Sequence, residues 1–142
     1  MAGLTFVAKS LLSLLILGLL INPVFAATER IVYHVHHTDE GSFRRIISNL
    51  ENLQQGMPEQ QLEIKLLLQG NSIQLLDSMH QPAVLQRRFS ALLDSGITLE
   101  VERESLKHNP HLTNSQTTLQ LMDNIFNRII ELQRQGYLYI TP

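Results

Sequence analysis

The sequence predicts an α/β protein built on a mostly parallel sheet of four to five strands, with helices on both faces. Short β-branched or leucine-rich runs alternate with longer segments whose apolar residues recur at helical spacing. Several of these segments end at a glycine or a proline, the residues that commonly terminate helices and strands. Alternation of this kind produces parallel sheets joined by right-handed crossovers.

The first 26 residues have the features of a cleavable secretory signal. Lys9 precedes an apolar run from Leu11 to Ile21, and Val24 and Ala26 occupy positions −3 and −1 of a cleavage site after Ala26. The run is about a dozen residues long, which is short for a hydrocarbon layer of ~30 Å. We expect export to a bacterial periplasm, membrane contact only through this segment before cleavage, and one mature domain over residues 27–142. An uncleaved anchor is the alternative.

The mature chain opens with a predicted strand and a predicted helix. Residues Ile31–Val35 are β-branched or aromatic without helical periodicity, which is typical of a strand. Asp39 or Ser42 can cap the helix that follows, and Gly56 and Pro58 end it. Its expected buried face consists of Phe43, Ile46, Ile47, Leu50 and Leu53.

Two further strands and a helix are predicted in the middle of the chain. Leu62–Leu68 is nearly continuous in apolar residues and is expected to be buried on both faces. After a turn at 69–72 and a short helical piece over 73–79, Pro82 suits the first turn of a helix. The inward residues of that helix are expected to be Leu85, Phe89, Leu92 and Leu93. Ile97–Glu102 alternates strictly, which predicts a strand with one wet or loosely covered face.

The last third predicts a loop, a helix and a strand. Residues 107–115 are rich in polar residues and contain Pro110, which indicates a loop. Tyr137–Ile140 is the predicted final strand, after a helix of about five turns that ends at Gly136. The apolar stripe of this helix is expected to consist of Leu119, Met122, Phe126, Ile129 and Ile130.

Composition excludes several functions. The chain has no cysteine, so it has no disulfide, no thiolate nucleophile and no zinc–thiolate site. After the leader, 10 basic and 13 acidic residues remain, and the pairs Arg44–Arg45 and Arg87–Arg88 stand apart, which argues against nucleic acid as a partner. The glycine-rich nucleotide motifs, the nucleophile elbow and the zincin motif are absent, and we expect no cofactor.

Ligands of parallel sheets bind beyond the carboxyl ends of the strands, where three loops at 36–39, 69–72 and 102–107 are expected to meet. His34 and His36 share one face of the first strand and His37 takes the other. These imidazoles are candidate metal ligands, with His108 and His111 as further donors, or simply polar residues at an exposed strand end. The amides of 69–72 are weak candidates for anion binding.

Carboxylates are concentrated in the third predicted strand. Glu100, Glu102 and Glu104 share one face if the strand continues that far. Either the face is solvated or ion-paired, or one carboxyl has a raised pKa and performs proton chemistry. The first reading is the commoner one. It also predicts an oligomer, because a neighbouring subunit's Lys or Arg would neutralise the face.

Several segments together resemble the DsrE/DsrF-like family, most closely the branch described as intracellular sulfur oxidation proteins. The segments are Ile31–Val35, Gln69–Gly70, Gly96–Ile97 and the tail 130–142, in which LQ-x-x-G-Y-x-Y-I-x-P is the most specific pattern. The resemblance covers residues 29–142. It implies a three-layer α/β/α fold and assembly into dimers, trimers or hexamers.

The resemblance also implies a site just after the third strand. Active members of the family carry sulfur as a persulfide on a cysteine in a stretch resembling V-C-x-N-[TS]-L. Here the stretch is residues 101–106, with Glu102 at the cysteine position, Glu104 at the asparagine position, and Ser105 and Leu106 matching. A carboxylate oxygen cannot form a persulfide, so the transfer reaction is not expected.

The sequence thus predicts an exported, non-catalytic oligomer that binds a small ligand or a partner protein, with a possible link to sulfur metabolism. The predicted ligand-binding residues are His34, His36, Gln69, Gly70, Asn71, Glu102, Glu104 and Ser105. Two alternatives stand beside this prediction. One is a periplasmic metal-binding protein that uses the three histidines at 34, 36 and 37. The other is an acid–base enzyme that uses Glu102.

Overall fold

A computed structural model describes residues 27–39, 41–57, 62–77, 81–114 and 119–142. The predicted signal at 1–26 and the end of the predicted helical piece at 73–79 lie outside the described residues. Within the described ranges, no helix combines the length and the apolar character needed to cross a membrane.

The described residues form one five-stranded sheet with helices around it. Its strand order is β4-β3-β2-β1-β5, and every neighbouring pair is parallel. The elements in chain order are β1 (Glu29–Val35), α1 (Ser42–Gly56), β2 (Leu62–Leu68), a 3₁₀ helix (Gly70–Leu76), α2 (Ala83–Asp94), β3 (Thr98–Glu102), α3 (Arg103–Lys107), a second 3₁₀ helix (Pro110–Asn114), β4 (Gln120–Met122), α4 (Ile125–Arg134) and β5 (Leu138–Ile140). This architecture confirms the predicted three-layer α/β/α fold.

Alternation along the strands divides the core into two layers. The larger layer contains Ile31, Tyr33 and Val35 of β1 and the buried faces of α1 and α2. The smaller layer joins Val32 of β1 to α4 through Ile125 and Leu132 on the opposite face of the sheet. The apolar faces predicted for α1 and α2 are confirmed, with only Leu53 and Leu93 partly rather than fully buried.

The prediction for the segment after residue 118 was wrong in part. Residues 120–122 form an edge strand paired with β3, and the helix begins only at Ile125. Asn124 separates the two elements, because its Oδ1 accepts a hydrogen bond from the Asn127 N–H at 2.9 Å and caps the helix. The apolar spacing therefore spanned a strand and a helix. Phe126, predicted to be inward, is 63% exposed.

The third strand also differs from its prediction. Thr98–Glu102 lies between β2 and β4 and is buried on both faces at its centre, although its sequence alternates. Glu100 is buried because Arg128 of α4 donates to both of its oxygens, at 2.7 and 2.8 Å, and Lys65 lies 3.6 Å away. The cations that pair with Glu100 come from the same chain, whereas Glu102 on the same face has no cationic partner among the described residues. Glu100 therefore gives no support to the expectation that a neighbouring subunit's Lys or Arg neutralises this face.

Candidate functional site

Hydrogen bonds join the three loops at the carboxyl edge of the sheet. Asn71 links the loop after β1 to the loop after β2, since its side chain accepts from the Thr38 N–H at 3.1 Å and donates to the Thr38 carbonyl at 3.2 Å. The Gly70 N–H donates to the Ser105 hydroxyl at 2.7 Å, which links the loop after β2 to α3. The sequence predicted this meeting of loops, and the described residues bring it about.

Gly70 has a conformation that explains its residue type. Its φ is +60°, in the left-handed region that L-residues other than glycine rarely adopt. A Cβ at this position would lie 3.3 Å from the carbonyl oxygen of His36. The turn can therefore follow β2 at once and still pass close to the backbone of the neighbouring loop.

Glu102 ends β3 and contacts the loop after β2 and the helix α3. Its Oε2 accepts from the Ser105 hydroxyl at 3.2 Å, and its Oε1 accepts from the Gln69 side-chain amide at a long 3.5 Å. The carboxylate is half-buried. Both of these donors are neutral, so they orient the carboxylate without cancelling its charge.

His34 is the buried member of the site, with 4% of its surface exposed. Its Nδ1 lies 2.9 Å from the hydroxyl of Tyr139 on β5. Among the described residues, Nε2 has no hydrogen-bond partner of normal geometry.

Burial lowers the pKa of His34 below the ordinary 6.5. A contact with the Gln69 side chain counters part of this lowering of the pKa, His36 adds to it, and the charge of Glu102 opposes it. Because burial dominates, the imidazole is neutral near pH 7. A neutral ring offers one nitrogen as an acceptor and the other as a donor.

An open groove of about 500 Å³ runs beside Glu102. Its lining residues are Gly70, Asn71, Gln74, Glu102, Glu104, Ser105, His108 and Asn109. The volume lies within the range of small-molecule sites, which is roughly 300–1,000 Å³. The polar groups of its walls are three side-chain amides, the Ser105 hydroxyl, His108 and two carboxylates, of which Glu102 is the half-buried one.

Three other predicted site residues, Glu104, His36 and His37, lie at the surface of the protein. Glu104 is not on the strand face of Glu100 and Glu102, because the strand ends at Glu102. It starts the first turn of α3 and pairs with Lys107 at 2.6 Å on the exposed rim. His36 is exposed, and its ring centroid lies 5.7 Å from that of His34; His37 is also exposed.

The metal and anion hypotheses gain little from this geometry. Among the residues that the structure describes, no group of three or more His, Asp or Glu side chains is arranged to hold a metal ion. His108 and His111 lie beside Glu104 and Asp77, at 3.7 and 3.6 Å. The N–H groups of Gln69, Gly70 and Ser72 are all used within the chain, so they do not present a cradle to an anion.

Sequence reasoning did not find Tyr139 as a partner of His34. The two residues are 105 positions apart, and they meet because β5 crosses to the far side of β1. Nothing in the pattern of the last strand indicates which edge of the sheet it joins. The aromatic alternation of Tyr137 and Tyr139 was the available signal.

Comparison with known proteins supports the fold. No family model matches the chain. No curated protein matches it either. Among solved structures, it resembles the protein of unknown function MTH1491 from Methanobacterium thermoautotrophicum, with a TM-score of 0.66 and 19% identity over 80% of this chain and 99% of that one.

Two further solved structures resemble this fold. The conserved protein of unknown function BT1422 from Bacteroides thetaiotaomicron aligns with a TM-score of 0.59 and 18% identity, over 84% of this chain and 99% of that one. The YchN protein of E. coli aligns with a TM-score of 0.56 and 12% identity, over 81% of this chain and 100% of that one. At these identities the likeness shows the fold.

Proposed function

We propose that this chain is an exported, DsrE-like binding protein whose site is the groove at the carboxyl edge of the sheet. The observation that carries the proposal is that Gln69 and Ser105 both donate to the Glu102 carboxylate, beside a groove large enough for a small molecule. The ligand is held without covalent chemistry. Any link to sulfur metabolism acts through a partner's cysteine.

The residue chemistry favours binding over catalysis. The position that matches the family's persulfide cysteine holds Glu102, and the chain contains no cysteine. An acid–base enzyme needs a proton donor and acceptor poised on a substrate. The Glu102 carboxylate is instead fixed by Ser105 and Gln69, which suits a permanent recognition group.

We further propose that the protein works as a homo-oligomer. Phe126 and Ile130 lie one helical turn apart on the outer face of α4, 63% and 46% exposed. Leu138 and Tyr139 of the edge strand β5 are 58% and 42% exposed. Large apolar side chains exposed together commonly mark contact surfaces.

Amide NMR of the ¹⁵N-labelled mature chain, residues 27–142, tests the binding function. A library of small anionic, neutral and cationic compounds is titrated, and the perturbed amides are mapped. We expect shifts concentrated at Gly70, Asn71 and Ser105. Shifts scattered over the surface, or concentrated at another part of the molecule, contradict the proposal, and so does a library without a binder.

Export has its own test. Amino-terminal sequencing of the protein recovered from the periplasmic fraction should begin at residue 27, after Ala26. Recovery of the full-length chain in the membrane fraction would contradict the proposed cleavage.

A further inference from the structure

We propose that the groove beside Glu102 binds a small organic cation, whose ammonium or guanidinium group is held against the Glu102 carboxylate. The inference rests on the proposed binding function and names the ligand class of that same site.

The first argument is the charge of Glu102. Among the described residues, no Lys, Arg or His nitrogen comes within 4 Å of the Glu102 carboxylate. Glu29, Asp39 and Asp94 have no cationic side chain of the described residues within 4 Å either, but all three are exposed. The other partly or fully buried glutamates have one: Glu51 with Arg88, Glu63 with Arg30, and Glu100 with Arg128. A half-buried carboxylate without a cation is unfavourable by itself, and a cationic ligand removes this cost.

The second argument is the capacity of the carboxylate to accept hydrogen bonds. Two carboxylate oxygens provide about four acceptor positions. Ser105 occupies one on Oε2 and Gln69 occupies one on Oε1, the latter at a long 3.5 Å. The remaining positions suit the several N–H donors of an ammonium or a guanidinium group, which form charge-assisted hydrogen bonds with a carboxylate.

The third argument concerns His34, which is near Glu102 but does not line the groove. His34 is buried and neutral, and its Nε2 has no hydrogen-bond partner among the described residues. A buried polar atom without a partner is rare in a folded protein. Because burial keeps the ring neutral, His34 does not supply the positive charge that the Glu102 carboxylate lacks.

The fourth argument separates an organic cation from other ligands. A metal ion needs several fixed ligands, and the described residues provide no group of three. An anion needs free donors, but the turn amides of Gly70 and Ser72 are engaged within the chain. A groove of about 500 Å³ is also larger than a bare ion requires.

Four probes of similar size and different charge test the inference. The ¹⁵N-labelled mature chain is titrated with 1,4-diaminobutane, n-butylamine, 1-butanol and sodium butyrate at pH 7 and constant ionic strength. The amides of Gly70 and Ser105 report binding. We expect saturable shifts with the two amines, and dissociation constants at least about tenfold weaker for the alcohol and the butyrate, a difference of about 1.4 kcal/mol.

Two variants with the same change of net charge complete the test. Glu102→Gln should weaken amine binding at least about tenfold. Glu131→Gln, on the exposed surface of α4, should leave it within about twofold, since a distant exposed charge is screened by salt. Equal losses in both variants would show non-specific attraction to an acidic protein and would overturn the inference.

The remaining outcomes distinguish the inference from the function it rests on. If the alcohol or the butyrate shifts the same amides as strongly as the amines do, the groove binds ligands but the cationic class is wrong. If none of the four probes shifts these amides while other members of the wider library do, the class is again wrong. If nothing in that library binds at the groove, the proposed function fails as well.

Discussion

The ion pair between Arg128 and Glu100 should dominate the attachment of α4 to the sheet. Glu100 has 3% of its side chain exposed and Arg128 has 26%, and the guanidinium donates to both carboxylate oxygens at 2.7 and 2.8 Å. Replacement of Arg128 by Met leaves the buried carboxylate with Lys65 alone, at 3.6 Å. Arg128 belongs to α4, and this helix also covers Val32 and Leu67 of the sheet.

The expected cost follows from this burial. Removal of one partner of a buried pair costs about 3–5 kcal/mol, and the remaining Lys65 places Arg128→Met near the lower limit, about 3 kcal/mol. For a domain of this size the midpoint of thermal unfolding should fall by about 12 °C. Arg103→Met is the matched control. Its pair with Asp123 has the same 2.7 Å distance, but the two side chains are 52% and 85% exposed, so the expected loss is below about 1 kcal/mol.

Urea unfolding of the two variants and the wild type, followed by circular dichroism, measures both values under one set of conditions. The two ion pairs have the same N···O distance and differ in burial, so burial alone accounts for the expected difference in unfolding free energy. Equal losses of unfolding free energy in Arg128→Met and Arg103→Met would refute this reasoning.

Three further predictions concern the turn, the histidine and the outer helix. Gly70→Ala should lose about 1–2 kcal/mol of unfolding free energy in the same urea assay, because the φ of Gly70 is +60° and a Cβ there would approach the His36 carbonyl. Gly56→Ala, with open space around its Cβ, should be neutral or stabilising. Equal effects of the two substitutions would contradict backbone strain at position 70. Burial lowers the pKa of His34, so below about pH 6.5 the unfolded chain binds more protons than the folded one. The unfolding free energy of the wild type should therefore fall between about pH 7 and pH 5 by more than that of His34→Gln. Parallel pH curves for the two proteins would contradict a buried neutral ring. Phe126→Ser should shift the sedimentation coefficient towards that of a monomer and change the unfolding free energy of the monomer by less than about 0.5 kcal/mol. The adjacent Asn127→Ser should leave the assembly intact. A wild-type protein that sediments as a monomer at high micromolar concentration would contradict the proposed oligomer.

The first three strands and two helices could be predicted from the sequence because their signals are local. Leu62–Leu68 is apolar on both faces, and Phe43, Ile46, Ile47 and Leu50 repeat at helical spacing. The segment from Leu119 to Ile130 could not be predicted in the same way. Its apolar spacing fits one helix, yet strand pairing of Gln120–Met122 with β3 and the cap at Asn124 divide it into two elements.

The candidate site, like the fold, could be predicted from the sequence only in part. The rule that ligands meet the carboxyl ends of parallel strands placed Gln69, Gly70 and Glu102 together. The partners of His34 and Glu100 depend on which elements cross the sheet, and no local pattern encodes that crossing. Tyr139 and Arg128, the residues that meet them, therefore became visible only in three dimensions.

The most direct test of the central claim is native mass spectrometry of the purified protein. We predict a bound small molecule that leaves when the protein is denatured and that is absent from the Glu102→Gln variant, with an unmodified polypeptide mass in both proteins. A polypeptide that retains covalently attached sulfane sulfur after denaturation, or a bound molecule that persists in Glu102→Gln, would contradict the account.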